Sequence, residues 1–450
     1  MNLYALLQKR LADSGRPVRV GLIGAGKFGA MFLAQAAKVR GIEVAAIADL
    51  SPERAKSACR AVGWPEELVE STQFLEDGLA MIAGQGLDQE IEVVIDATGD
   101  PPAGIAHALA AAEHGKHIVM VNVEADVLAG PLLAERCRKA GVVYSIAYGD
   151  QPALVCEMVD WARACGLEVI AAGKGTKYLP SYHASTPETV WPHYGLTPDA
   201  AKAAGMNPQM FNSFLDGTKS AIEMAAIANA TGLTPPDDGL HFPPCGVDDL
   251  PLVLRPREEG GQLETSGQVE VISSLERDGR PVYRDLRWGV YVVFGAGEGP
   301  GGDYTAGCFQ QYGLVTDPSG RISAMYKPYH LIGLELGVSV LSAALRGEPT
   351  GSSRHWRGDV AATAKRPLKA GEVLDGEGGF TVWGKLIPAA RSLAEGALPI
   401  GLAKGVTLTR DVAEGATLTW SDITIDSREQ AVAIRREMEA AAGTAAKAAE

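Results

Sequence analysis

The stretch that decides the fold is residues 18–50, VRVGLIGAGKFGAMFLAQAAKVRGIEVAAIADL. An apolar run ends in a glycine turn, a helical run follows, and a second apolar run ends at Asp49. Gly24, Gly26 and Gly29 form a G-x-G-x-x-G motif between the first strand and the helix. The first glycine permits a tight turn, the second lets backbone amides approach a pyrophosphate, and the third lets helix and strand pack closely. The stretch therefore predicts a βαβ unit that binds a dinucleotide.

The residues after the second strand leave the choice of dinucleotide open. Asp49 follows the motif by about 20 residues, where a carboxylate commonly binds the ribose hydroxyls of NAD. Ser51 and Arg54 come next, and a hydroxyl with a guanidinium can hold the 2′-phosphate of NADP if Asp49 turns aside. Ser51 also suits the N-cap of a helix that begins at Pro52. The candidate cofactor residues are Gly24, Ala25, Gly26, Lys27, Phe28, Gly29, Asp49, Ser51, Arg54, Thr98, Gly99 and Asn122.

Strands and helices alternate up to about residue 150 in a pattern that predicts a doubly wound parallel sheet. The further predicted strands are residues 91–99, 117–122 and 142–147, separated by helices at residues 102–114 and 125–140. Thr98, Gly99 and Asn122 fall at the carboxyl ends of strands, where open parallel sheets bind ligands. The first domain is therefore an α/β domain of residues 1–150 that includes an N-terminal helix.

The composition changes after this domain, and three further units are predicted. Residues 174–330 contain long irregular stretches rich in Lys, Tyr, Asn and Pro, and they predict an α+β domain of residues 151–359 for substrate and oligomer contacts. Residues 360–427 repeat short strands around Lys-Gly and Glu-Gly turns and predict a small all-β domain. Residues 428–450 predict a charged, alanine-rich helix.

Two strand-like segments of the second domain predict an antiparallel pair. They are residues 267–275 and 286–297, and the turn Asp278-Gly279 lies between them. Sheets of this kind often pair subunits, so a homo-oligomer, a dimer or tetramer, is expected.

The charge and the cysteines exclude several classes of protein. With 41 Lys and Arg against 55 Asp and Glu, the net charge of −14 argues against binding to nucleic acid or to an anionic membrane surface. No run of about 18 apolar residues predicts a membrane span, and the first residues lack the apolar core of a signal peptide. Six cysteines without a C-x-x-C pair are typical of reduced thiols. A cytoplasmic protein is therefore predicted, with local cations for any anionic ligand.

The candidate catalytic residues are mostly cations. Lys174 and Lys177 lie at the end of a predicted strand, and Lys219 lies at the start of a predicted helix, where each suits a phosphate or carboxylate ligand. His330 precedes an amphipathic run and suits a helix-end acid or base near neutral pH. The alternative for each is a structural role, as a solvated lysine or a packed histidine. Asp150 and Glu124, at strand ends, are expected to orient substrate hydroxyls.

The order of these motifs resembles a known group of enzymes. GAGKFG, IDATG, GKHIVMVN and AAGKGTKYLP, followed by a helix containing Lys219, resemble the homoserine-dehydrogenase superfamily, and the tail resembles a SAF (antifreeze-like) domain. MVNVEAD, GDQPAL and YKPYHLIGLELG resemble the 1-deoxy-D-xylulose-5-phosphate reductoisomerase-like family. This resemblance implies an NADPH-dependent reductoisomerase that makes 2-C-methyl-D-erythritol 4-phosphate in isoprenoid synthesis. It also implies that Lys219 acts on the substrate, and that the substrate is a sugar phosphate.

Two departures from the related families bear on the chemistry. Homoserine dehydrogenases carry Asn-Lys after the fifth strand, whereas this chain has Asn122-Val123-Glu124, which disfavours homoserine oxidation. The D-S-E-H metal motif of ordinary reductoisomerases is missing. A divalent ion such as Mg or Mn therefore has only weak candidate ligands, which are Glu124, Asp126 and Asp150. Reduction or oxidation of another small hydroxy acid, keto acid or semialdehyde, without rearrangement, is the alternative function, and a cofactor-binding protein without turnover is a further one.

Overall fold

The computed structural model describes residues 2–449, with side chains to residue 444, so Met1 and Glu450 of the predicted terminal units lie outside the described residues. The chain divides into two compact units. The first runs through Cys156 and includes His330–Arg354 and Ala433–Met438. The second contains Glu157–Tyr329, His355–Val432 and the chain from Glu439 onward. The boundaries near residues 150, 359 and 427 stay predictions.

The first unit contains the predicted parallel sheet. Its strands are β1 Val18–Ile23, β2 Ile42–Ala48, β3 Gln73–Leu75, β4 Val93–Asp96, β5 His117–Met120 and β6 Tyr144–Ile146. Its helices are α1 Leu3–Ser14, α2 Lys27–Ala36, α3 Pro52–Ala61, α4 Glu66–Ser71, α5 Gly78–Ile82, α6 Pro101–Glu113 and α7 Val123–Lys139. The strand order β3-β2-β1-β4-β5-β6 with parallel pairing is the order of a dinucleotide-binding fold. The α/β class is therefore confirmed.

The central strands are mostly apolar, as is typical of a sheet whose two faces are both covered by helices. In β1, every residue except Arg19 is buried. Helical residues such as Phe32 and Leu33 of α2 are buried in the same apolar cluster. The resulting rigid sheet presents its strand ends, with Asp49 and Asp96, at one edge.

The second unit is built around a mixed sheet. The elements up to the last strand of this sheet are α8 Gln151–Ala164, β7 Glu168–Thr176, α9 Val190–His193, α10 Pro198–Ala203, α11 Pro208–Leu215, α12 Thr218–Thr231, α13 Leu250–Val253, β8 Gln268–Ser273, β9 Val290–Gly295, α14 Gly299–Gln311 and β10 Ile322–Lys327. Helix α8 begins before Cys156, within the first unit. The strand order is β10-β9-β7-β8. The next helix, α15 Gly337–Arg346, belongs to the first unit.

The predicted antiparallel pairing of residues 267–275 with 286–297 is wrong. β7 lies between β8 and β9, parallel to β8 and antiparallel to β9. Glycines allow this close insertion: a Cβ atom at Gly173 would lie 1.8 Å from the carbonyl oxygen of Glu270. The two strands therefore pair with a common neighbour, a long-range arrangement that the intervening turn does not determine.

The C-terminal segment of the second unit forms small antiparallel sheets, as predicted. Its elements are β11 Gly358–Ala364, β12 Val373–Asp375, β13 Val382–Pro388, α16 Ala389–Glu395, β14 Lys404–Leu408, β15 Ile423–Thr424 and α17 Gln430–Ala449. β11 pairs with β13, and β14 lies between β12 and β15. The short helix α16 is an addition to the predicted all-β pattern. Among the described residues, no helix is both long enough and apolar enough to cross a membrane.

Candidate functional site

The glycine loop between β1 and α2 has the geometry that a bound dinucleotide requires. Gly24 has φ +91°, and a Cβ atom there would lie 2.8 Å from the carbonyl oxygen of Ala97. A Cβ atom at Gly29 would lie 2.2 Å from the carbonyl oxygen of Gly24. Gly26 differs, because a Cβ atom there would meet nothing within 4 Å. Gly24 and Gly29 are thus required by the fold, whereas the space at Gly26 lies at the start of α2, where a pyrophosphate fits.

Asp49 faces the glycine loop and is buried. Its Oδ2 accepts the backbone N–H of Ala25 at 2.9 Å, and its Oδ1 accepts the backbone N–H of Ser51 at 3.0 Å. The guanidinium of Arg54 donates to the same Oδ1 at 2.6 Å, while the Arg54 side chain remains 63% exposed. Ser51 caps α3, as predicted. Both Asp49 oxygens are therefore engaged, and Arg54 is held at the end of β2.

A hydrogen-bond network around the buried Asp96 joins the ends of β4 and β5. Oδ1 of Asp96 accepts the backbone and hydroxyl donors of Thr98 at 2.9 and 2.7 Å, and its Oδ2 lies 2.9 Å from Nδ1 of His107. Asn122 donates to the hydroxyl of Thr98 at 3.1 Å and caps α7 through the backbone N–H of Ala125. Thr98 and Asn122, both predicted to contact the cofactor, are thus held by Asp96. Sequence reasoning missed Asp96, although it belongs to the quoted IDATG motif.

Three other carboxylates and a histidine were predicted to contribute chemistry, and all belong to the first unit. Asp126 is buried in α7 and accepts from the hydroxyls of Tyr144 at 2.9 Å and Ser353 at 3.0 Å. Burial raises the pKa of Asp126 to about 6. Asp150 is 3% exposed and its Oδ1 accepts the backbone N–H of Gln151.

The metal and helix-end predictions need correction. Within the described part of the chain, no group of three or more His, Cys, Asp or Glu side chains is placed to hold a metal ion. Glu124, half-buried in the first turn of α7, therefore does not form a donor set with Asp126 and Asp150.

His330 lies in an irregular segment, and α15 begins only at Gly337, so His330 is not at a helix end. The reason is that the Leu331–Leu336 stretch forms turns before the helix starts.

In the second unit, a buried ion pair connects two of the predicted lysines. Lys174 of β7 donates its Nζ to Oε2 of Glu223 on α12, and both side chains are more than nine-tenths buried. Lys219 precedes Glu223 by one helical turn, so the two residues share one face of α12. The structure thus pairs Lys174 with a residue one helical turn after Lys219. Glu223 was missed, although its i,i+4 spacing from Lys219 was visible in the sequence.

The first turn of α12, which carries Lys219, is held by the C-terminal segment. Lys365 donates its Nζ to Oδ2 of Asp216 at 2.7 Å and to the carbonyl oxygens of Ser185 and Gly379 at 2.8 and 2.7 Å. Oδ1 of Asp216 accepts the backbone N–H of Thr218 at 2.9 Å. Burial raises the pKa of Asp216, and Lys365 opposes that rise. The Lys365–Asp216 pair therefore fixes the start of the helix.

A histidine and a tyrosine lie beside this helix start. Nδ1 of His183 lies 2.6 Å from the carbonyl oxygen of Asp216, which can only accept, so Nδ1 carries the proton. Nε2 then accepts from the hydroxyl of Tyr178 at 2.9 Å. The His183 ring stacks on Trp383, with centroids 3.9 Å apart. Burial lowers the pKa of His183 and raises that of Tyr178 to about 12, so the pair is neutral at physiological pH.

Lys177 lies apart from the Lys174–Glu223 pair. Its Nζ donates to the carbonyl oxygen of His193. Burial lowers the pKa of Lys177, and the positive charge of Arg287 lowers it further. Lys174 and Lys177 therefore have different surroundings, one in a buried ion pair and the other beside a second cation.

Comparison with known families agrees with this division of the chain. Residues 18–148 match the model of the oxidoreductase family GFO/IDH/MocA, NAD-binding Rossmann fold, and residues 149–336 match the model of oxidoreductase DRL, catalytic domain. The chain therefore contains one region similar to the NAD-binding Rossmann domain of that family and a second region similar to the DRL catalytic domain. The β7 and α12 lysines lie within the residues that match the DRL model, whereas Lys365 lies beyond them.

Similarity to solved structures is weaker. Myo-inositol dehydrogenase from Lactobacillus casei, solved with NAD(H) and myo-inositol, is 20% identical, with a TM-score of 0.29 over 39% of this chain and 50% of that one. The chain therefore spans half the length of that protein. A probable dehydrogenase from Thermotoga maritima is 15% identical over 74% of this chain and 90% of that one, with a TM-score of 0.38. No curated protein matches the chain significantly.

Proposed function

We propose that the protein is an NADPH-dependent reductoisomerase that converts 1-deoxy-D-xylulose 5-phosphate to 2-C-methyl-D-erythritol 4-phosphate. The observation that carries the proposal is the similarity to the DRL catalytic domain, in a region where Lys174 pairs with the buried Glu223 and Lys219 lies one helical turn before Glu223. The substrate is a 2-keto sugar phosphate that must rearrange to a branched aldehyde before its reduction. Such a reaction needs a cation at the carbonyl oxygen and a group that moves protons to and from hydroxyls.

Lys219 is the proposed acid and carbonyl ligand. It is half-buried, and the first turn of its helix is held by Asp216, so its backbone is positioned before substrate binds. An ammonium in that position stabilises negative charge that develops on the ketone oxygen and delivers a proton to the alkoxide. The carboxylate of Glu223 is held by Lys174, and this pair supports the charge of Lys219 on the same helix face.

The cofactor residues favour NADPH. When bound, NADPH supplies the hydride that converts the aldehyde to a primary alcohol. The backbone N–H groups at the start of α2 would hold the pyrophosphate, and the space at Gly26 fits its close approach. Asp49 accepts three donors of its own chain, so both of its oxygens already have partners without a ribose hydroxyl. Arg54, exposed at the end of β2, and Ser51 are the proposed ligands of the 2′-phosphate.

Steady-state kinetics test this proposal. The enzyme is expected to oxidise NADPH on addition of 1-deoxy-D-xylulose 5-phosphate, with a higher kcat/KM for NADPH than for NADH. Equal values, or a preference for NADH, would remove the assignment of Arg54 and Ser51. Turnover of an amino-acid semialdehyde but not of the sugar phosphate would replace the reductoisomerase with a simple dehydrogenase. Tight cofactor binding without hydride transfer to any keto compound would contradict enzymatic function altogether.

A further inference from the structure

Two cationic residues, Lys177 and Arg287, lie near the end of β7 in the second unit. The backbone of residues 286–289 lies directly against Gly175, where a Cβ atom would be 1.9 Å from the carbonyl oxygen of Leu286 and 3.0 Å from the nitrogen of Arg287. The backbone N–H of Gly175 also donates to the carbonyl oxygen of Gly289 at 3.1 Å. Lys177 follows Gly175 by two residues. The fold therefore holds the chain at Arg287 beside the chain at Lys177.

Neither of these cations is neutralised. Within the described residues, no ion pair is formed by the Lys177 ammonium or by the Arg287 guanidinium, and both side chains are half-buried. Arg287 instead stacks over the Trp288 ring, with its Cζ 4.7 Å from the ring centroid. Two other arginines of the same loop behave differently, because Arg280 pairs with Asp278 at 2.8 Å and Arg284 pairs with Asp248 at 3.1 Å. Two neighbouring cations without an anionic partner repel each other, and a bound anion relieves that repulsion.

A tyrosine hydroxyl lies in the same region. Tyr182 is 5% exposed, and its ring centroid is 4.8 Å from that of His193, whose carbonyl accepts from Lys177. Within the described residues, the Tyr182 hydroxyl makes no hydrogen bond. Burial raises the pKa of Tyr182, and the charge of Arg287 opposes that rise, which places the guanidinium near the phenol. A phenol hydroxyl without a protein partner can donate a hydrogen bond to a ligand.

We propose that Lys177, Arg287 and Tyr182 form the site that binds the phosphoryl group of the substrate. A guanidinium presents paired N–H donors that match two phosphate oxygens, an ammonium binds as a point charge, and the phenol donates a third bond. A dianion neutralises both cations, which a carboxylate with one charge does not. The identity of the sugar phosphate rests on the proposed function, whereas the binding of a phosphoryl group does not.

Binding of inorganic phosphate to the full-length protein, measured by calorimetry, tests this site. The Arg287→Met variant is expected to weaken phosphate binding at least tenfold, and Lys177→Met is expected to weaken it comparably. Arg287→Lys, which keeps the charge but loses the paired donors, is expected to fall between wild type and Arg287→Met. Arg280→Met is the matched control, since it removes an arginine from the same loop that is already paired with Asp278. Unchanged NADPH affinity and thermal melting show that each variant is folded.

The outcomes separate this site from the proposed function. If Arg287→Met binds phosphate as wild type does, or if wild type does not bind phosphate, the site is wrong. If phosphate binding depends on Arg287 but 1-deoxy-D-xylulose 5-phosphate is not turned over, the site stands and the reductoisomerase assignment fails. If both hold, Arg287→Met is expected to raise KM for the sugar phosphate at least tenfold while kcat changes by less than threefold, because the contact is the same in the ground and transition states.

Discussion

At the residue scale, the three glycines of the cofactor loop illustrate how one motif combines two kinds of requirement. Gly24 and Gly29 are needed by the backbone of the protein itself, because an added Cβ atom would clash with neighbouring carbonyl oxygens. Gly26 has open space beside it and is needed only when a pyrophosphate approaches. Their positions could be predicted from the sequence, but this distinction could not, since it depends on three-dimensional contacts.

The Gly26→Val variant is therefore expected to lose cofactor binding without losing its fold. Calorimetry should detect no NADPH binding at concentrations that saturate the wild type, while the melting temperature stays within a few degrees. Gly29→Val is the contrasting variant and is expected to destabilise the protein strongly, because its Cβ atom would lie 2.2 Å from the carbonyl oxygen of Gly24. Unchanged cofactor affinity in Gly26→Val would contradict the placement of the pyrophosphate.

Lys219 and Lys177 are expected to differ in the kinetic parameter that they control. Lys219→Ala should lower kcat by a factor on the order of 10² or more, as the loss of a positioned acid does. Lys177→Ala should chiefly raise KM, because its contact with the anionic end does not change during the reaction. Lys369→Ala is the control, since Lys369 pairs with Asp411 at the surface of the C-terminal segment. Full kcat in Lys219→Ala would rule out its assigned role.

The site residues that the sequence analysis did not identify show why the candidate site was only partly predictable. Lys174 was recognised as a single cation, but its partner Glu223 was not, because a buried ion pair requires a strand and a helix to meet. The roles of Asp216 and His183 depend likewise on contacts between distant segments. A sequence shows which side chains carry charge, whereas the fold determines which charges are paired.

At the element scale, α7 contains a carboxyl group that makes stability depend on pH. Burial raises the pKa of Asp126 to about 6 from 3.8, so the folded state favours the protonated form. The stabilisation is complete below about pH 4 and is lost as the pH rises through about 6. Its size is on the order of 3 kcal/mol, from about 1.4 kcal/mol per pH unit. Unfolding in urea at pH 4 and pH 7 measures this loss. Asp126→Asn is expected to lose correspondingly less stability between these pH values, and an equal loss in both proteins would contradict the assignment.

Helix α12 depends on a lysine from the C-terminal segment. Lys365→Met leaves Asp216 buried without its cation and is expected to destabilise the protein by about 3–5 kcal/mol. The double variant Lys365→Met with Asp216→Asn should regain part of this loss, because it removes the uncompensated charge. Urea unfolding of the two single variants and the double variant measures the coupling between the residues. Additive effects would show that the ion pair does not hold the helix start.

The sheets of the two units differ in how far they could be predicted. Most of the β1 to β6 sheet follows from local alternation, because helices join its parallel strands, although the short strand β3 was not predicted. In the mixed sheet, β7 lies between β8 and β9, and neither the turn at Asp278 nor the strand patterns indicate that insertion. Pairing between distant strands depends on packing in three dimensions, so it was predicted wrongly.

At the scale of the whole molecule, each compact unit is built from segments that are not consecutive in the sequence. Residues 330–354 belong to the first compact unit, and part of α17 does so as well. Within that unit, the side chain of Arg435 is completely buried and donates to the carbonyl oxygen of Leu128. A charged helix near the end of the chain was predicted, but the burial of one arginine in it was not, since composition indicates only an exposed helix.

The carbon skeleton of the reaction product tests the central claim most directly. The enzyme is incubated with 1-deoxy-D-xylulose 5-phosphate and NADPH, and the product is identified by carbon NMR spectroscopy. A rearrangement followed by reduction predicts a branched product with a methyl group on a carbon that bears no hydrogen, formed in a one-to-one ratio with NADP⁺. A product that retains the linear skeleton would show simple reduction of the ketone and would contradict the reductoisomerase assignment.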